Sequence, residues 1–148
     1  MIALDTNCLL RRILKDDPVQ LAKVDLLFAL PEKILITDVV LAETVWAMKS
    51  FLVPKPNRQD IYDMVRALFD DIKIEFENKQ VVWDALHDFL RAPWSTGKNK
   101  SQADFADALI INKANYVMNT QNPPANKGIY TFDSGALMLN NTIEPSGN

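Results

Sequence analysis

Apolar residues recur along the chain in two rhythms. Ile2-Ala3-Leu4 is a short apolar run that stops at Asp5-Thr6-Asn7, the pattern of a buried strand turning into a helix. Asn7 to Leu14 reads as that helix, with Thr6 or Asn7 as its N-cap. Asp17-Pro18, a cap residue followed by proline at the first helical position, starts a second helix. Its Leu21, Val24, Leu27 and Phe28 fall at helical spacing, and Pro31 follows its end. Ile34-Leu35-Ile36 is the next strand, stopped by Thr37-Asp38, which can cap a helix to about Leu52. Asn57 caps another through about Phe69. Ile72, Ile74 and Phe76 alternate with Lys73 and Glu75, the two-residue period of a half-buried strand.

An amphipathic helix is expected from about Gln80 to Leu90, then a loop from Ala92 to Lys100 rich in Pro, Ser, Thr, Gly and Asn. Ser101 to Ile111 reads as a helix, Asn119 to Lys127 as an exposed loop, and Gly128 to Asp133 as a strand. A short helix, an extended piece at Thr142-Ile143 and a disordered tail over 144–148 complete the reading. Strands alternating with helices define an α/β fold with a largely parallel central sheet flanked by helices, in one domain over residues 1–143.

Composition narrows the chemistry. With 148 residues the chain can bury a core without disulfides. Four glycines leave no Gly-rich phosphate loop, and neither dinucleotide nor P-loop fingerprint is present. The lone Cys8 excludes a disulfide within the chain and reads as buried filler. The lone His87, between Leu86 and Asp88, reads as a surface or boundary residue, with nothing marking a nucleophile beside it. No apolar run reaches the roughly 18 residues of a membrane span. With no secretory leader at its start, the chain is expected to be cytoplasmic. A net charge of −3 does not announce a nucleic-acid binder, unless the acids are gathered in one place around a cation.

The acids are where the pattern breaks. Asp5 and Asp133 each end an expected strand, and ends of parallel strands lie on one side of a sheet. Glu43 is the only charged residue between Val39 and Met48, where burial would be costly without a partner. The plain structural reading sets it on a wet stripe with Thr44 and Lys49. Asp107 sits among Phe105, Ala106, Ala108 and Leu109. Asp104, three residues earlier, shares its helix face. Asp104 also fits a capping box with Ser101, near the helix N-terminus where the dipole favours an acid. Asp107 is read as lying beyond that cap. Carboxylates brought together repel unless their pKa values rise or a cation neutralises them. All-oxygen ligands favour Mg²⁺ or Mn²⁺ over zinc.

With these residues in place, the chain resembles the PIN-domain ribonucleases, and more closely the VapC-type toxins of bacterial toxin–antitoxin pairs. The resemblance runs from Ile2-Ala3-Leu4-Asp5-Thr6-Asn7 through Ala42-Glu43 and Ala103-Asp104-Phe105-Ala106-Asp107-Ala108-Leu109-Ile110 to Thr131-Phe132-Asp133. It departs at Ser101-Gln102, where many relatives have Gly, and in its polar loops 92–100 and 119–127. The resemblance implies a doubly wound α/β domain with a carboxylate pocket for Mg²⁺ or Mn²⁺ on Asp5, Glu43, Asp107 and Asp133. It adds Asp104 as a further acid and Thr6, Asn7 and Thr131 as supporting polar groups. The implied activity is endoribonuclease cleavage by metal-activated water. The implied partners are RNA, a second copy in a homodimer, a small antitoxin, and operator DNA through that antitoxin.

RNA needs positive charge beside such a pocket. Arg11, Arg12, Lys15, Lys49, Lys98 and Lys100 are the candidates. Trp46 could stack on a base, though an aromatic on an apolar helix is more often core or interface. Two other classes stay open: an enzyme using an aspartate as phosphoryl acceptor, and a non-catalytic metal-binding module of receiver type. Asn7 stands where a haloacid-dehalogenase-like phosphatase wants a second Asp. Thr131-Phe132-Asp133 lacks the lysine expected near a receiver's last strand.

Overall fold

The computed structural model describes residues 1–146. Contacts within the chain gather into two compact units, Met1–Lys79 and Gln80–Asn148.

The first unit is built on a three-stranded parallel sheet. β1 (Ile2–Ala3), β2 (Ile34–Ile36) and β3 (Ile74–Phe76) lie in that order, with Ile2 opposite Ile34 and Ile36 opposite Phe76. β2 is the central strand, and its Ile34 and Ile36 are fully buried. Two helices make each crossover: α1 (Thr6–Leu14) and α2 (Pro18–Ala29), then α3 (Asp38–Phe51) and α4 (Arg58–Asp70). Pairing parallel strands requires such long returns over the sheet.

The caps explain where these helices begin. Asp17 accepts from the N–H groups of Val19 and Gln20, with Pro18 in the first turn. Thr37 caps α3, and Asn57 and Asp60 form a reciprocal capping box on α4. Leu9, Leu41, Val45, Met48, Ile61 and Val65 supply the helices' share of the core. β3 starts at Ile74, later than the alternation suggested. The Asp71 carboxylate accepts from the Lys73 N–H at 2.9 Å, so a turn occupies the approach and Ile72 is left exposed.

The second unit pairs α5 (Lys79–Arg91) with α6 (Phe105–Asn119). Phe89 and Phe105 meet edge to face at 5.9 Å, and the Asn112 amide donates to Asp88 at 2.8 Å. β4 (Ile129–Tyr130) and β5 (Thr142–Ile143) form a two-stranded parallel sheet, joined by a 3-10 turn at Ala136–Met138. The α/β class and the parallel strands are as expected. The ladders form two sheets rather than one, with β2 the ladder neighbour of β1 and β5 that of β4. Residues 144–146 carry no regular structure, and the rest of the expected disordered tail, 147 and 148, lies outside the described residues. No described helix is long and apolar enough to cross a membrane.

Candidate functional site

Asp5 is the N-cap of α1, one position earlier than the sequence suggested. Its Oδ1 accepts from the Cys8 N–H at 2.9 Å. That backbone bond, reinforced by the Cys8 thiol, holds the Asp5 carboxyl below its ordinary pKa. Partial burial pushes the thiol's own pKa up, and the neighbouring carboxylate adds to this. Asp5 itself is exposed to solvent.

The next residue reaches across the unit. Thr6 Oγ1 donates to Glu43 Oε2 at 2.5 Å, tying the first turn of α1 to the middle of α3. Thr6, Asn7 and Glu43 stand at a groove of about 400 Å³ whose apolar floor includes Leu10, Leu14 and Ala47 and whose wall carries Trp46 and Phe51. Asp5's neighbours and Glu43 are thus brought together from distant parts of the sequence.

Glu43 does not carry the burial that its apolar neighbours suggest. Glu43 is exposed, because α3 buries Leu41, Thr44, Val45, Ala47 and Met48 on its other side. Thr44, expected on a wet stripe, is fully buried and donates its hydroxyl to the Val40 carbonyl at 2.7 Å. The face that carries Glu43 also carries Val39 and Trp46, both large, apolar and exposed. Trp46 is 58% exposed and meets Phe51 edge-on at 5.8 Å, so it is not core in this chain.

In the second unit, α6 begins at Phe105 rather than Ser101, and this changes the roles of both acids. Asp104 is the N-cap, and Asp107 closes a capping box by accepting from the Asp104 N–H at 2.7 Å. The box expected between Ser101 and Asp104 is therefore replaced by one between Asp104 and Asp107, and Asp107 has a capping role after all. Both carboxylates lie at a helix N-terminus, where the dipole favours negative charge.

Asp133 follows β4 and is exposed. Its N–H donates to Thr131 Oγ1 at 3.1 Å, and its Oδ1 accepts from the Ala136 N–H at 2.7 Å. The Thr131 hydroxyl thus meets the Asp133 backbone, not its carboxylate.

The basic candidates divide. Arg11 is locked on Asp16 by two 2.8 Å bonds and on Gln20 by a third. Arg12 bonds Asp25 at 2.7 Å and lies over the Phe28 ring at 4.4 Å. Both hold α1 to its neighbours, so they are structural first. Lys15 is the left-handed C-cap of α1 and is exposed. Lys49 lies in the last turn of α3. Lys98 and Lys100 are exposed on the loop before α6. Cys8 is half-buried rather than core. His87 is half-buried, with Nδ1 2.8 Å from the Trp83 carbonyl.

Among the described residues, no three His, Cys, Asp or Glu side chains within either unit are grouped to hold a metal ion. The donors nevertheless fit a hard divalent cation in kind. They are carboxylates with hydroxyls beside them, and they include no clustered thiol or imidazole.

Parallel strands joined by paired helical crossovers define an α/β protein. The PIN domain family model matches residues 2–117, and the chain belongs to that family. PIN domains are generally metal-dependent nucleases. The match contains Asp5, Glu43, Asp104 and Asp107, while Thr131 and Asp133 lie beyond it. No curated protein matches the chain.

Proposed function

We propose that this protein is a Mg²⁺- or Mn²⁺-dependent endoribonuclease and the toxin of a toxin–antitoxin pair. Asp5, Glu43, Asp107 and Asp133 are its metal-holding carboxylates, with Asp104 as a further acid. Beyond family membership, the observation that carries this reading is the Thr6–Glu43 hydrogen bond. It holds one of these acids beside the helix start that Asp5 caps, at the mouth of an open groove.

The chain's own residues do the positioning. Thr6 fixes the Glu43 carboxylate, and the Cys8 N–H orients Asp5 and keeps it ionised. Thr131 and the Ala136 N–H hold Asp133, and the Asp104 N–H orients Asp107. Asn7 adds an exposed amide at the groove. A divalent ion, when bound, supplies charge neutralisation at the scissile phosphate and lowers the pKa of water.

The partner half of the reading rests on the exposed Val39, Trp46 and Phe51 of α3, since exposed large apolar groups mark interaction surfaces. A small antitoxin is the proposed occupant, and operator DNA is bound through it. A homodimer is proposed for the free toxin. The test of this half is co-expression with the neighbouring small open reading frame. Co-purification and suppressed ribonuclease activity support the pair, whereas independent elution with full activity removes the toxin assignment. Metal-dependent RNA cleavage, abolished by EDTA and by Asp107→Asn, tests the enzyme half.

A further inference from the structure

The loop before α6 is fastened at its base by serines. Ser95 is 4% exposed, and its N–H donates to the Ser101 carbonyl at 2.8 Å. In return the Ser101 N–H donates to Ser95 Oγ at 2.9 Å, which closes the ends of the loop on each other. Ser101 Oγ is hydrogen-bonded to Ser134 Oγ at 2.7 Å. Ser134 directly follows Asp133. A second fastening lies alongside. Gly135 packs so closely on the Gln102 backbone that an added Cβ would stand 2.5 Å from its carbonyl carbon. Gln102 also donates its amide to the Ala92 carbonyl at 2.8 Å.

Everything between the two serines points the other way. Thr96, Gly97, Lys98, Asn99 and Lys100 are all exposed. Gly97 takes a positive φ of 111°, which lets the chain reverse there. Lys98 and Lys100 make no ion pair among the described residues, in contrast to Arg11 and Arg12. Trp94, 59% exposed, stands at the root of the loop. Two unpaired ammonium groups beside an exposed aromatic suit single-stranded nucleic acid, whose backbone takes the charge and whose bases take the ring.

We infer that residues 96–100 form a phosphate-binding arm for single-stranded RNA, and that Ser95, Ser101 and Ser134 are positioning residues that hold the arm at a fixed offset from Asp133. The inference rests on the ribonuclease reading for its substrate and adds the contact that seats it. Without the serine clasp the lysines would still attract RNA, but at no defined distance from the Asp133 carboxylate. The clasp turns a nonspecific attraction into placement of the strand.

The test uses the full chain and a fluorescent single-stranded RNA, with binding measured in EDTA and cleavage measured in Mn²⁺. The double variant K98A/K100A should weaken binding and lower the slope of log affinity against log salt by about 1.4, two contacts at about 0.7 each. KM should rise with kcat unchanged. Ser134→Ala should speed amide exchange at Ser95 and Ser101, whose N–H groups close the loop, and lower kcat, and Ser134→Thr should restore both. Unchanged salt slope and KM in the lysine variant overturn the arm. Unchanged exchange and kcat in Ser134→Ala overturn the clasp. Binding and exchange need no turnover, so wild-type protein that binds through the loop without cleaving refutes the nuclease reading and leaves this inference standing. Protein that cleaves equally well without the lysines does the reverse.

Discussion

At Asp5, two substitutions separate holding a helix from holding a cation. Asparagine caps a helix about as well as aspartate, so Asp5→Asn keeps the bond from the Cys8 N–H and removes only the charge. Asp5→Ala removes both and should cost about 1 kcal/mol in urea unfolding. Both variants should lose more than about 100-fold in cleavage rate, above the range seen for residues that merely support a ligand. Full activity in Asp5→Asn would remove Asp5 from the site. The cap also has an acid signature. The folded pKa of Asp5 is lowered, so its contribution to stability is complete above the ordinary aspartate value of about 3.9 and is lost as pH falls through the folded value. In metal-free protein, Asp5→Asn should therefore unfold with a shallower acid dependence below about pH 4 than wild type. The same logic makes Asp107→Asn a cleaner probe than Asp107→Ala, since only alanine dismantles the capping box. The sequence could place these acids on their elements but could misjudge their surroundings. Moving the start of α6 from Ser101 to Phe105 turned Asp107 from an unexplained acid into a cap partner. Glu43 was marked for a burial it does not have, because a helix apolar on most sides does not declare which side is buried.

The elements were most legible where side-chain chemistry punctuates the chain. Asp17-Pro18, Thr37 and Asn57 each start a helix as expected, because capping is local and needs no tertiary partner. What joins one element to another was not legible. Nothing near Thr6 indicates that its hydroxyl meets Glu43, and nothing near Ser101 indicates Ser134. These cross-element bonds give predictions of their own. Thr6→Val should release the Glu43 carboxylate and lower activity by about 10-fold or more, whereas Thr6→Ser should retain it. Equal activity in all three proteins would show that Glu43 needs no such support. Gly135→Ala pushes a methyl group into the Gln102 backbone and should destabilise the fold by about 1–3 kcal/mol, measured as a shift in the urea midpoint. An unchanged midpoint would mean that the loop gives way at no cost.

For the molecule as a whole, the charge balance makes the metal testable without any substrate. If the proposed acids take up a cation, the folded chain, of net charge −3, should be stabilised by it. At a free concentration of about 100 times Kd the gain is about 2.7 kcal/mol, readily seen as a rise in melting temperature. Mn²⁺ and Mg²⁺ should produce that rise, EDTA should reverse it, and Glu43→Gln or Asp107→Asn should blunt it. If both variants gain as much as wild type, the ion binds elsewhere and the assignment of these acids fails, whatever the activity. The ends of the cleaved RNA then distinguish the chemistry. Carboxylates that position a cation leave water as the nucleophile, so products should carry a 5′-phosphate and a 3′-hydroxyl. An enzyme that instead activates the ribose 2′-OH leaves a 2′,3′-cyclic phosphate. The sole histidine is half-buried on α5, with Nδ1 2.8 Å from the Trp83 carbonyl. Mass spectrometry of the fragments decides the matter. Cyclic phosphate ends that persist in EDTA would place the reaction outside metal-dependent hydrolysis and leave Asp5, Asp104 and Asp107 with their helix caps as their only established work.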